Sequence, residues 1–307
     1  MQKFARKFSH RSPAFHACGN STPDRISHYL IMRSKAVITD VPIDNFNYDE
    51  VLDKIDKIIK NNHKAYIVTV NPEMIINASR DERFFEILQN STINTPDGVG
   101  ILWAAYYLSL KKYKSAVGRF FQVFYSLLCI AFAPKKIRSI LKERVTGTDL
   151  LPKIINRSQD KKWKIFLLGA KEGIAKHVAK KFTKIYPNSQ FVGYFAGSPH
   201  RHDEKEICEQ INQVEPDILF IAYGAPKQEF WIHRNLFKLE SVKLAVGIGG
   251  AFDFYAGKQK RAPKLFRKIG LEWLWRLVCD PKRFVRIWNA TARFVKLIMK
   301  NKQSNVK

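Results

Sequence analysis

The sequence predicts an α/β protein: a Rossmann-like, mostly parallel sheet flanked by helices, with a basic helical appendage at the C-terminal end. Three observations carry that prediction. From Ala36 onward, short β-branched apolar runs bounded by Gly, Pro or Asn alternate with segments of helical periodicity. Asn, Asp, Gly and Gln gather just after the strand-like runs, where parallel sheets hold their ligands. Beyond Gly257 the composition turns sharply basic.

In chain order, residues 65–70 (AYIVTV) read as a buried strand that Asn71-Pro72 ends, and residues 73–90 as the next helix. Residues 91–95 form a short strand running into the turn Pro96-Asp97-Gly98, followed by a helix over 99–110. The second half alternates more cleanly, with strands over 164–168, 190–194, 217–222 and 243–246. Between them lie helices over 173–185 and 204–214, and one starting at Glu229. Strands separated by helices of this length imply parallel pairing and helices on both faces. The expected organisation is a loose basic tail over 1–34, the α/β domain over 35–257 and the appendage over 258–307. The domain carries an apolar and basic insert at about 108–142.

The chain has 307 residues and a formal net charge of +26. Its 46% hydrophobic content excludes wholesale disorder, so the excess charge sits on a folded surface and attracts phosphate in some form. The four cysteines, Cys18, Cys129, Cys208 and Cys279, form no CxxC pair and read as reduced thiols in a cytosolic compartment. Residues 1–34 lack an apolar run long enough for a secretory signal. The apolar run 120–133 (FFQVFYSLLCIAFA) falls short of the ~20 residues that span a bilayer. It reads equally as a buried helix or as an interfacial or re-entrant segment.

Four segments after strands carry candidate chemistry: residues 69–73 (TVNPE), 95–100 (TPDGVG), 144–150 (RVTGTDL) and 224–229 (GAPKQE). Asp97 is either a turn residue, as Asp-Gly pairs usually are, or a general base facing a pocket. Arg144 is either a surface arginine or, beside a helix start at Thr146-Gly147-Thr148, a phosphate contact. Asn71 and Gln228 are either capping and turn residues or partners for sugar hydroxyls. The run 246–253 (VGIGGAFD) lacks the third glycine of G-x-G-x-x-G, which disfavours a nicotinamide or flavin enzyme. A nucleotide in another pose against Gly249 and Gly250, with Asp253 accepting from a ribose or base, stays open beside a plain tight turn. Gly169 and Gly224, each after a strand, join them as candidate nucleotide contacts. No Asp-x-Asp pair and no clustered His/Cys set occurs, so no metal and no other cofactor is expected.

In the appendage, residues 258–307 hold 15 Lys and Arg against two acids, half of the chain's net charge. Phe284, Ile287, Trp288, Thr291, Phe294, Val295 and Ile298 recur at helical spacing among basic residues. That pattern suits an amphipathic helix lying on an anionic membrane or, equally, one packed on its own domain or a partner.

These segments, in this order, resemble the WecG/TagA/CpsF family, glycosyltransferase family 26. The pieces that carry the resemblance are TVNPEM, TPDGVGILWAA, RVTGTDLLP, IFLLGAKEG, PDILFIAYGAPKQEFWI, VGIGGAFDFYAG and RAPKLFRKIGLEWLWRLVCDPKRFVR, running from about Ala36 to Arg286. The resemblance implies metal-independent, inverting transfer of a sugar, N-acetylmannosamine-like above all, from a UDP-sugar to a polyprenyl-diphosphate-linked saccharide in cell-surface polysaccharide synthesis. It implies a peripheral place on the cytoplasmic face of the membrane. By motif matching, Asp97 looks like the general base, and Thr69, Asn71 and Gln228 like residues around the transferred sugar. Arg144 looks like a pocket arginine, and Arg276, Arg283 and Arg286 like appendage arginines that meet diphosphate groups. The 108–142 insert departs from the family, whose Asp-Gly and Arg-Val-Thr-Gly segments are usually joined by a short connection.

The partners expected are therefore a UDP-sugar donor, the lipid-linked acceptor and an anionic membrane surface, without nucleic acid; a homo-oligomer is left open. The alternative from another class is a basic nucleic-acid-binding protein on a Rossmann-like scaffold, for which the net charge is the sole support. A catalytically dead interaction protein is disfavoured by Asp97, Arg144 and Gln228 occurring together.

Overall fold

A computed structural model describes residues 35–258, 262, 263, 266, 275 and 284–304. The expected tail over 1–34 lies outside the described residues. The described chain opens with a hairpin of β1 (Lys35–Ile38) and β2 (Val41–Asp44), turned by Thr39 and Asp40 at φ 47° and 65°. Next comes α1 (Tyr48–Lys60), a helix additional to those expected from the sequence. Its start is a capping box in which Asn47 accepts from the Glu50 N–H and Glu50 accepts from the Asn47 N–H.

β3 (Ala65–Val70) is buried at all six positions, as a central strand covered on both faces must be. The helix expected over 73–90 is in fact two, α2 (Pro72–Ala78) and α3 (Glu82–Gln89). The break falls where the Asp81 carboxylate accepts from the N–H groups of Arg83 and Phe84, starting a new helix instead of continuing the old. β4 (Ile93–Pro96) and α4 (Val99–Ser109) follow, then α5 (Ala116–Phe132) and α6 (Pro134–Ile137), which make up most of the insert.

The second half runs α7 (Gly147–Lys161), β5 (Lys164–Gly169), α8 (Ile174–Ile185), β6 (Gln190–Phe195), α9 (Glu204–Val214), β7 (Ile218–Ala222), α10 (Lys227–Asn235), β8 (Leu244–Gly247) and α11 (Ala251–Tyr255). The last described helix is α12 (Phe284–Ser304).

The six strands β3 to β8 form one sheet in the order β4-β3-β8-β7-β5-β6, every neighbouring pair parallel. The β1-β2 hairpin guards the β4 edge, where the Asp44 carboxylate accepts from the Asn94 N–H at 2.8 Å. Strand side chains alternate between two cores. One lies under α2, α3, α4, α5, α9, α10 and α12, the other under α1, α7, α8 and α11.

This topology positions the site. α2 after β3 and α11 after β8 leave adjacent strands toward opposite faces, as do α8 after β5 and α10 after β7. Crevices therefore open at the carboxyl edge between β3 and β8 and between β5 and β7, where α/β sheets bind ligands. Of the C-terminal stripe, Phe294 and Ile298 are buried and Thr291 is exposed, the side chains of Phe284, Ile287 and Trp288 lie outside the described residues, and α12 lies against α2 and α4. The Phe294 ring sits 6.2 Å from that of Trp103.

Candidate functional site

Asp97 sits where β4 gives way to α4. Its N–H donates to the Val70 carbonyl at 2.7 Å, which ties the end of β4 to the end of β3. Gly98 turns the chain with φ 104°, a conformation costly for a residue with a Cβ, and starts α4 without a side-chain cap. The N–H groups of the first turn of α4 are thus left uncapped by a side chain, and Asp97, half-buried, stands at their mouth.

The 144–146 segment, which follows α6 and not the strand expected before it, crosses this point. The Val145 N–H donates to the Pro96 carbonyl at 3.0 Å, and the Thr95 hydroxyl donates to the Val145 carbonyl at 3.0 Å. Arg144, half-buried, is thereby carried to the chain segment that bears Asp97. Thr146 caps α7, its Oγ1 accepting from the Asp149 N–H. Gly147 lies so close to β3 and β8 that a Cβ there would stand 3.2 Å from the Ile248 Cα and 3.4 Å from the Thr69 Oγ1. Thr69, buried at the end of β3, donates to the Gly247 carbonyl at 3.4 Å. Asn71 caps α2 through its Oδ1, which accepts from the Met74 N–H at 3.1 Å, leaving its amide NH₂ available to a ligand.

Gln228 plays a different part. It is buried, and its Oε1 accepts from the Gly224 N–H at 3.2 Å and the Gly249 N–H at 3.0 Å, while its Nε2 donates to Glu229 at 2.7 Å. One side chain thus ties the turn after β7 to the turn after β8. Burial pushes the Glu229 carboxyl up to about 7. At Gly224, Gly249 and Gly250 a Cβ would meet no protein atom within 4 Å, and Asp253 is half-buried nearby on α11. Gly169 differs: a Cβ there would stand 2.9 Å from the Ala222 carbonyl carbon, so packing of β5 on β7 accounts for it.

The structure therefore gathers Thr69, Asn71, Asp97, Arg144, Gly249 and Gly250 at the carboxyl ends of β3, β4 and β8, with Gln228 beneath the floor. Arg276 and Arg283 lie outside the described residues, and Arg286 falls on α12 where only the backbone is described. Sequence reasoning missed Tyr48. Its hydroxyl accepts from the Thr146 N–H at 3.1 Å, and burial pushes it up to about 12, with smaller upward pushes from Asp149 and Asp97. Nothing in the local pattern near residue 48 announces contact with a segment almost a hundred positions away. Among the described residues no group of three His, Cys, Asp or Glu side chains gathers as a metal-binding cluster, and Cys129 and Cys208 are buried free thiols.

The chain matches the profile of the glycosyl transferase WecG/TagA/CpsF family over residues 36–127 and 128–307. It is 31% identical over 253 residues to an N-acetylglucosaminyldiphosphoundecaprenol N-acetyl-beta-D-mannosaminyltransferase of Bacillus subtilis (strain 168), covering 81% of this chain and 86% of that protein. Proteins of the same name are 29% identical in Bacillus spizizenii (80% and 83% covered) and 26% identical in Staphylococcus aureus (strain MRSA252; 83% and 88%). These relatives support the glycosyltransferase reading and not the nucleic-acid-binding alternative.

Proposed function

The chain belongs to the WecG/TagA/CpsF glycosyltransferase family, and from that premise we propose that it transfers an N-acetylmannosamine-like sugar, with inversion and without a metal ion, from a UDP-sugar to a polyprenyl-diphosphate-linked saccharide. N-acetylglucosaminyldiphosphoundecaprenol, which the relatives' names carry, is the first acceptor to try. The observation that carries the reading is the strapping of the Arg144 segment to the end of β4 beside Asp97.

Inversion is a single displacement. The Asp97 carboxylate takes the proton from the acceptor hydroxyl, whose oxygen bonds to the anomeric carbon as the bond from that carbon to the UDP oxygen breaks. The electron pair leaves with UDP. Arg144 and the appendage arginines Arg276, Arg283 and Arg286 are the cations proposed to meet the charge gained by the departing diphosphate. Thr69 and Asn71 would orient the sugar; Gln228 would act one step back, by holding the Gly224 and Gly249 turns to which the nucleotide is assigned. Support for metal independence comes from the lack of an Asp-x-Asp pair. Because the acceptor is lipid-linked, the enzyme works as a peripheral protein on the cytoplasmic face of the membrane; none of the described helices is long and apolar enough to cross it.

The test is UDP release and product formation from UDP-N-acetylmannosamine and a synthetic polyprenyl-diphosphate N-acetylglucosamine. Asp97→Asn should lower turnover by ~10² to 10⁴ with donor affinity little changed. Near-normal turnover would remove Asp97 from the mechanism, and loss of activity with EDTA, restored by Mg²⁺, would overturn the metal-free account.

A further inference from the structure

α5 buries Val123 and Cys129 in the core, yet the side it turns away from the core is apolar as well. Its inward side carries Gln122 and Ser126, both buried and both partnered: the Trp103 indole N–H donates to the Ser126 hydroxyl at 3.0 Å, and the Gln122 amide donates to the Lys111 carbonyl at 2.6 Å. Its outward side carries Val117, Phe120, Phe121, Phe124, Leu128 and Phe132, between 42% and 82% exposed and spaced along one helical stripe. A scattered exposed leucine is ordinary, but a continuous aromatic stripe on a folded surface marks something that covers it.

The charge around the stripe says what that is. From Gly98 to Lys142 the chain contains eight Lys and Arg and no acidic residue. Lys111, Lys112, Lys114 and Arg119 sit at the start of α5, and Lys135, Lys136 and Arg138 at its end. At the starting end a cavity of about 490 Å³ is lined by Lys112, Lys114, Arg119 and Lys302, with Tyr107 and Gln122 and without an acid. Lys302, buried, reaches in from α12 and donates to the Tyr107 carbonyl at 2.6 Å and to Gln122 at 3.1 Å. Burial, and secondarily the nearby Lys112, pushes its ammonium down to about 8.

We propose that α5 is an in-plane membrane anchor whose aromatic stripe enters an anionic phospholipid bilayer, with the cationic cavity at its starting end receiving a lipid phosphate. This rests on the peripheral-membrane reading above and assigns it to a surface outside the catalytic edge. An apolar face inserted among the acyl chains, framed by basic groups at headgroup level, is the arrangement an interfacial helix requires. The anchor also serves the site. α5 runs antiparallel to α4, Ser126 meeting Trp103 while Lys302 links Gln122 to Tyr107, so its far end returns toward the start of α4, where Asp97 lies.

The experiment uses the full chain with phosphatidylglycerol and phosphatidylcholine vesicles. The wild type should co-sediment with the anionic vesicles, and the triple variant Phe121→Ser, Phe124→Ser, Leu128→Ser should bind them at least about tenfold more weakly. Its thermal unfolding and its turnover of a short-chain, water-soluble acceptor should be unchanged, while turnover of the long-chain acceptor in vesicles falls. Lys112→Ala with Lys114→Ala should weaken binding to phosphatidylglycerol vesicles, and free inorganic phosphate should not mimic that dependence. Phe124→Trp, which keeps an aromatic ring on the stripe, should show a further blue-shifted emission quenched by brominated phosphatidylglycerol. Equal vesicle binding by the triple variant, or no quenching at Trp in place of Phe124, overturns the proposal. So does a wild-type dimer that the triple variant dissociates without any change in vesicle affinity. An enzyme that turns over the soluble acceptor but fails these vesicle tests loses the anchor and keeps the proposed reaction; one that passes them without any transferase activity does the reverse.

Discussion

α5 and α12 are both amphipathic, both framed by basic residues, and they meet at Lys302, yet they use their apolar faces in opposite ways. α12 presses Phe294 and Ile298 into the core beside Trp103, whereas α5, although it buries Val123 and Cys129 together with Gln122 and Ser126, presents its large side chains Phe120, Phe121, Phe124 and Phe132 outward. Periodicity shows that a helix has an apolar side; it is silent on what lies against that side.

Three measurements would break or sharpen this contrast. The largest effect belongs to α12: Phe294→Ala removes a buried ring from a packed site and should cost about 3–5 kcal/mol in denaturant unfolding. A cost below about 1 kcal/mol would mean that the stripe of α12 is not core. Burial should weigh on a charge as it does on a ring, and Glu229 tests that. Its Oε2 has no hydrogen-bond partner among the described residues, and burial pushes its carboxyl up to about 7. Between its ordinary value near 4.5 and about 7 the folded state holds a proton that the unfolded chain has lost. Stability from this group is therefore full below about 4.5 and declines toward pH 7, by up to about 3 kcal/mol. Glu229→Gln should abolish that decline and leave the protein more stable than wild type at pH 8, read from thermal unfolding across pH. The smallest effect belongs to α5: without lipid, Phe124→Ser should change unfolding free energy by no more than ~0.5 kcal/mol, as for exposed positions generally. A loss of several kcal/mol would place the α5 stripe in a core after all.

Much of the fold was legible in the sequence because parallel strands buried on both faces leave uninterrupted apolar runs, as at residues 65–70 and 218–222. The two-helix break at Asp81 and the start of α1 at Asn47 were missed although their signals, a capping Asp and an Asn-x-x-Glu box, were present. Competing apolar periodicity runs through the first and masks it. Asp97, Thr69 and Asn71 were legible as a set because each follows or borders a strand end, the edge that a parallel sheet offers to ligands, whereas Arg144 follows α6 and reaches that edge only through the bond of Val145 to Pro96. Tyr48 was not, since its place depends on α1 and α7 packing side by side.

What the sequence determined by itself was local and periodic: which segments are strands, which are helices, where their apolar sides run, and that polar residues cluster after the strands. These follow from backbone geometry repeated every two or 3.6 residues. The strand order β4-β3-β8-β7-β5-β6, the role of Gln228 beneath two glycine turns, and the opposite fates of α5 and α12 were decided by the tertiary structure alone. Each is a contact between segments far apart in the chain, and a side chain's own neighbours along the sequence do not encode what will come to lie against it.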